Sequence, residues 1–315
     1  MGGQAIRGAL AFYRVHVGFS SRAPWASIIA SSYPMPPPTT VLGALAKALR
    51  DIGVLKCLEF VEEQDLIISG AATIKNILSS WWITTAMLSP TVRTTIFIRY
   101  FSAPYRSHAE RKEWATRLVV SELFAPYGLG YTVSPHGILA ILVLTPNDKR
   151  DDIAKGLAFV SRLGSKESFV DPIAVYKVDL KQEERETVVT AWLTPKECVE
   201  SIEGNYVEEK LPIPYDANEL MCYYSASPCP GQIQRITILR EAILPRYPGW
   251  VRVKTRQECR QYRITERKEE VYLHVGQEVG GDFELKVETL LQTHVVVPVR
   301  IIEALNRDHK ELGGS

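Results

Sequence analysis

The chain has 315 residues, a formal net charge of +1, 46% apolar residues and 23% charged residues. That balance excludes a disordered, collagen-like or low-complexity scaffold, and a chain of this length buries roughly 75% of the surface it exposes when unfolded, enough for a large core. The longest clean apolar run, Ile138 to Leu144, falls far short of a bilayer span, and Arg7 and Arg14 break the first apolar stretch, so the sequence predicts a cytoplasmic protein with no membrane partner.

In chain order, Ala5 to Phe19 is predicted as a strand, with β-branched and aromatic residues around Tyr13, Val15 and Val17. A polar, Pro-rich loop follows from Ser20 to Pro38. Thr39 or Thr40 is the expected N-cap of a helix from Val41 to Asp51, closed by Gly53. Leu66 to Ile68 and Thr73 to Leu78 are expected as short strands on either side of Gly70. Val92 to Tyr100 alternates as a strand, with Thr94, Ile96 and Ile98 opposite Arg93, Thr95, Phe97 and Arg99. Ala109 to Phe124 has the spacing of an amphipathic helix, and Gly128 and Gly130 are expected in a turn. Gly137 to Leu144 is apolar throughout, as a buried central strand would be. Asp148 to Leu163 is helical in period, and Phe169 to Leu180 returns to strand.

That order predicts an α+β fold, with a ferredoxin-like (RRM-type) βαββαβ unit enlarged by insertions over residues 1–180. The chain from Lys181 onward is different. An acidic, Pro-rich, loop-like segment gives way to strand-like stretches at Arg235 to Leu239, Trp250 to Lys254, Tyr262 to Thr265, Val271 to Val275 and Phe283 to Val287. Residues 181–315 are expected to form a β-rich C-terminal domain or extension. The five cysteines (Cys57, Cys198, Cys222, Cys229, Cys259) are scattered, odd in number and lack a C-x-x-C pair, which argues against a disulfide framework or a zinc site.

Charge is balanced in total but segregated along the chain. No acid precedes Asp51, and a second acid-free stretch from Leu66 to Ala109 carries Lys75, Arg93, Arg99 and Arg106. Arg246 to Lys268 holds eight bases against two acids, whereas Asp179 to Glu219 holds eleven acids against four bases. Such a chain either presents a local basic face to phosphates or spreads its charges over several solvated surfaces.

No phosphate-binding, dinucleotide, serine-hydrolase or zinc-protease motif is present, so the motifs call for no cofactor. A metal-free ribonuclease needs a general acid and base; His108 and His136 with Tyr105 or Tyr131 could supply them, but nothing in the spacing selects them. Arg93 to Arg106 interleaves arginines with Phe97, Tyr100, Phe101 and Tyr105. This is either a surface for unpaired RNA, with phosphates on arginine and bases on aromatics, or a half-buried hairpin with solvated arginines. The Thr39-Thr40 helix start, with Lys47 farther along and Arg22 in the loop before it, could hold a phosphate or could simply cap the helix. Arg162-Leu-Gly-Ser-Lys-Glu-Ser168 offers donors from Ser165, Lys166 and Ser168, or is a polar turn after a helix stopped by Gly164.

Two of these stretches carry a family resemblance. The strand followed by Ser32-Tyr-Pro-Met-Pro-Pro-Pro-Thr-Thr-Val-Leu-Gly-Ala-Leu-Ala-Lys-Ala-Leu49 resembles the N-terminal signature of the CRISPR-associated Cas-five family, in which a Tyr-Pro-x-Pro-Pro loop leads into a Gly-containing first helix. Arg162 to Ser168 looks like the second characteristic motif of the archaeal, type I-A branch. The resemblance covers residues 1 to about 180. It implies a non-catalytic subunit of a Cascade surveillance complex, built on the RRM-like domain of the RAMP superfamily with a protruding β-hairpin thumb. Such a subunit would cap the 5′ handle of CRISPR RNA and touch the Cas-seven-type backbone subunit and the large subunit. Here the thumb would fall at about 89–106, with Arg93, Arg99, Tyr100 and Arg106 on it. The handle surface would involve Tyr33, Thr39, Thr40 and Ser165 to Ser168. One branch of the family, in type I-C systems, cleaves CRISPR RNA, and a metal-independent endoribonuclease is therefore the alternative expectation.

Overall fold

The computed structural model describes residues 6–21, 32–56, 60–63, 66–78, 80–99, 126–164, 168–224, 238–247, 249–273 and 281–311. The first half comprises β1 (Ile6–Val15), β2 (Gly18–Phe19), α1 (Pro38–Asp51), β3 (Phe60–Glu63), β4 (Leu66–Ser69), β5 (Trp82–Met87), β6 (Val92–Arg99), β7 (Pro126–Val133), β8 (Gly137–Leu144) and α2 (Arg150–Ala158). Then come β9 (Val170–Glu183), β10 (Thr187–Thr190), β11 (Thr194–Pro195), β12 (Val199–Glu203), β13 (Tyr206–Pro212), α3 (Ala217–Tyr224) and β14 (Leu239–Pro245). The chain finishes with β15 (Val251–Thr255), β16 (Cys259–Leu273), α4 (Gly281–Leu291), β17 (His294–Pro298) and α5 (Val299–Glu311). Among the described residues no helix is long and apolar enough to cross a membrane.

One mixed α/β architecture follows from a six-stranded sheet in the order β17-β16-β9-β1-β8-β5. Every neighbouring pair in it is antiparallel. β1 lies in the interior, with Gly8 opposite Leu144 on β8 and Ile6 opposite Leu180 on β9. Consecutive side chains on a strand point to opposite faces, and both faces of this sheet are covered. On one, Tyr13 donates its hydroxyl to the Leu157 carbonyl of α2 at 2.6 Å, and Leu45 and Leu49 of α1 are fully buried beside Ile153 and Leu157. On the other, Phe12 meets Phe283 of α4 edge-on at 5.6 Å and Tyr176 of β9 at 6.3 Å. Residue 180 falls inside β9, and β16 and β17 continue the same sheet beyond it.

Several expectations are corrected. α1 starts at Pro38, with Pro37 as N-cap and no side-chain cap; proline at the first helical position needs no N–H partner and presets φ, so Thr39 and Thr40 fall inside the first turn. Gly53 follows the C-cap Ile52 with φ +77°. Residues 70–76 form a 3-10 helix rather than a strand, burying Ala72, Thr73 and Ile74 in succession. Gly128 and Gly130 lie within β7, paired with Phe97 and Thr95 of β6, and not in a turn. The acidic segment after residue 180 is folded into strands: Val188 and Thr190 alternate inward, and acids such as Glu200 and Glu208 face outward onto Lys254 and Lys196.

Phe283 to Val287 belongs to a helix, because Phe283, Val287 and Leu290 are spaced for one buried helical face. Of the expected strand at Arg235 to Leu239, residues 235–237 lie outside the described residues and β14 begins at Leu239, while the stretches around 262–265 and 271–273 are parts of the single strand β16. The expected helix at 109–124 lies outside the described residues. Cys198 and Cys259 are joined by a disulfide with a Cα–Cα separation of 5.5 Å, contrary to the cysteine count, and Cys222 is disulfide-bonded as well. Folding brings the first pair together where Arg256 N–H bonds the Cys198 carbonyl at 3.0 Å.

Candidate nucleic-acid interface

Ser20 and Ser21, just past β2, form a buried polar node. Ser20 N–H donates to Ser168 Oγ at 2.9 Å, and Ser20 Oγ donates to the Gly130 carbonyl of β7 at 2.7 Å. Ser21 N–H donates to Ser32 Oγ at 3.0 Å, and the Tyr33 N–H returns to the Ser21 carbonyl at 2.9 Å. The Ser21 hydroxyl is hydrogen-bonded to that of Thr40 in the first turn of α1. Thr132 of β7 closes the circuit by donating to the Tyr33 carbonyl at 2.7 Å. Gly164 completes the packing. Its φ is +99°, and a Cβ there would lie 2.2 Å from the Ser20 carbonyl oxygen, so neither another residue's backbone preference nor its volume fits. The two motifs far apart in sequence, 32–40 and 162–168, therefore meet on one node, together with the root of the β6–β7 ladder.

That ladder runs from Val92 opposite Val133 to Arg99 opposite Pro126. It belongs to a separate sheet, β2-β7-β6, and eight residues of strand reach about 26 Å. The outgoing strand lies within the expected 89–106, but the returning strand is 126–133. Arg99 ends β6; Tyr100 and Arg106 lie outside the described residues, as do Arg22, Ser165, Lys166, His108 and Tyr105.

The remaining expected site residues are placed as follows. Tyr33 is half-buried; burial, then the neighbouring Tyr223 and Glu209, push its hydroxyl well above the ordinary tyrosine value, so it remains a neutral donor. Thr39 is buried, and its carbonyl accepts the Tyr224 hydroxyl at 2.6 Å. Thr40 is half-buried on the node. Ser168 is fully buried, and its hydroxyl serves the chain itself by accepting from Ser20. Lys47 is exposed and paired with Asp51 one turn along α1. Arg93 is exposed at the root of β6 and bonds Glu209 Oε1 of β13 at 2.6 Å. His136 sits exposed in the β7–β8 turn at φ +54°, whereas Tyr131 is buried, so these two do not share an open surface.

Three residues escaped the sequence. Arg246 and Tyr247 join Arg93 around a cleft of about 330 Å³ between the β6 root and β13–β14, with Met35, Met87 and Leu244 among its lining, and Glu209 of β13 bonds Arg93 at its margin. Only the β13–β14 pairing, with Val207 opposite Leu244, brings them beside Pro34 and Met35, and no local signal foretells it.

No family model matches the chain. It is 28% identical over 203 residues to CRISPR-associated protein Cas5 2 of Saccharolobus solfataricus, a match spanning 63% of this chain and 72% of that protein. Among solved structures it resembles a CRISPR protein from Archaeoglobus fulgidus with a TM-score of 0.50 and 17% identity, over 82% of this chain and 95% of the other, a likeness of fold alone. The Tyr-Pro-x-Pro-Pro signature, the second motif it folds against and the match to a curated relative agree: the chain is similar to the CRISPR-associated Cas5 proteins.

Proposed function

We propose that this chain is the non-catalytic subunit of a type I-A CRISPR effector complex that caps the 5′ handle of the guide RNA. The observation that carries this reading is the Ser20–Ser21 node, which gathers the 32–40 loop and helix start, Gly164 and Ser168, and the β6–β7 ladder at one place. Tyr33 and Thr40 offer neutral donors there, and the ladder, with Arg93 at its root and Arg99 at the end of β6, serves as a thumb for the RNA backbone. Both faces of the central sheet are covered, so RNA would run along the strand ends and the thumb and not over the sheet.

The fold reading is ferredoxin-like. Its support is the order β9-β1-β8-β5, all antiparallel, with α1 following β1 and α2 following β8. Residues 181–315 act in this reading as an extension of that domain, and the neighbours are a Cas-seven-type backbone subunit and a large subunit in the cytoplasm.

The test is binding and integrity of labelled CRISPR RNA, with and without its 5′ handle, in EDTA at two salt concentrations, with the backbone subunit added in a parallel set. Handle-dependent binding of intact RNA is the expected result. Cleaved RNA would move the chain to the processing branch, and indifference to the handle without cleavage would overturn the proposal.

A further inference from the structure

The cleft at the β6 root holds a contradiction that bears on how RNA is admitted. Arg93 is one of the cations expected to meet phosphate, yet its guanidinium is held at 2.6 Å by Glu209, whose side chain is only 24% exposed. The charge of Glu209 also reaches Tyr33, where it adds to the effect of burial and of Tyr223 in raising that hydroxyl above its ordinary value. A carboxylate and a phosphate present the same pair of acceptor oxygens to arginine. Beyond the ion pair the cleft has an apolar floor of Met35, Met87 and Leu244, and Arg246 and Tyr247 are exposed at its edge. Lys286 of α4 lies 5.8 Å from the centroid of the Tyr247 ring. Its volume, about 330 Å³, is at the small end of the roughly 300–1,000 Å³ range of ligand pockets, which suits one nucleotide and not a peptide strand or a duplex.

We propose that this cleft takes a single unpaired nucleotide, its base against Tyr247 and the methionine floor, and its phosphate replacing Glu209 on Arg93. This rests on the RNA-holding reading above and adds to it. Glu209 is an internal stand-in for phosphate. It keeps Arg93 ordered in the free chain and makes every binding event an exchange, so random polyanions gain less from this cation than its charge alone would give. Among the described residues no carboxylate pairs with the Arg246 side chain, so it supplies a second guanidinium without such an exchange. An acidic peptide would find the same arginines but gains little from the stacking surface of Tyr247.

The experiment measures affinity of a short labelled single-stranded RNA for the full chain and for Glu209→Gln, Arg246→Ala and Tyr247→Ala, with thermal melting of each. A 4-thiouridine version of the RNA is then photocross-linked and the attached peptide identified by mass spectrometry. Glu209→Gln, nearly isosteric, should bind about fivefold more tightly, the size of a released surface ion pair. Tyr247→Ala and Arg246→Ala should each weaken binding about tenfold, and the cross-link should fall on residues 33–35 or 244–247. Unchanged or weaker binding by Glu209→Gln at native melting temperature, with no cross-link in the cleft, overturns the proposal while RNA binding itself survives. If the unaltered chain, with or without the backbone subunit, binds no RNA, this proposal and the reading beneath it both fall.

Discussion

The Cys198–Cys259 bridge gives the most quantitative handle on stability. It closes a loop of 61 residues, and constraining a loop of that length in the unfolded chain contributes about 4 kcal/mol. At roughly 2.1 cal/mol/K per residue, a 315-residue chain unfolds with an entropy of about 0.7 kcal/mol/K, so losing the bridge should lower Tm by about 6 °C. The perturbation is Cys198→Ala with Cys259→Ala. Reductant alone would also act on the bond of Cys222, so the double variant isolates this bridge. Both sulfurs lie in a small cluster with Val188 and Val296, and their removal there adds to the loss. Differential scanning calorimetry of the oxidised chain and the variant measures the shift, and thiol titration in denaturant without reductant counts the free cysteines. A Tm within 1 or 2 °C of the unaltered chain, or two additional free thiols in it, would refute the reasoning.

Gly164→Ala should cost about 1–3 kcal/mol in stability and weaken RNA binding, because strain at positive φ is joined by a clash with the Ser20 carbonyl. Gly53→Ala, also at positive φ but with open space around the new Cβ, should destabilise less and leave RNA affinity unchanged; equal effects in melting and binding assays would sink the contrast. Replacing Arg93, Arg99 and Arg106 together by Ala should weaken RNA binding and flatten its salt dependence, read from affinities across a salt series. Glu183 accepts a hydrogen bond from His294 at 3.0 Å, and that bond, against the opposing effect of burial and with help from the charge of Arg185, holds its carboxyl below the ordinary value of 4.5. A depressed folded-state value means stabilisation that is full above 4.5 and lost as pH falls through the folded value. Glu183→Gln should therefore flatten the decline of Tm below pH 4.5, and an unchanged acid limb would refute the assignment.

What the sequence disclosed follows the physics of each segment. β8 and β9 were legible because their burial is written as unbroken or alternating apolar residues, and α1 because Ala and Leu dominate it. β5 does not stand out although all six residues are buried, since Thr84 and Thr85 interrupt its apolar run. α4 reads as a strand over five residues and shows its period only over eight. The site divides in the same way. Motif neighbourhoods 32–40 and 162–168 were found from their residue types, but that they touch, and that Ser168 spends its hydroxyl on Ser20, depends on tertiary contacts. Glu209 is one of eleven acids between Asp179 and Glu219 with nothing in the sequence to single it out; β13 pairing with β14 sets it against Arg93.

The node around Ser20 has a kinetic consequence. Two of its bonds join residues 148 and 110 positions apart, so no local segment can complete it early. Contacts of such separation are made only after the loops between them have been closed, late in folding and at an entropic cost that short-range structure does not carry. Competence to hold a guide would thus be acquired in one of the last steps of folding, and a chain stalled with α1 and the early strands already in place would have no finished surface to offer an RNA. The ligand itself would then distinguish finished molecules from unfinished ones, because only the former repay its binding.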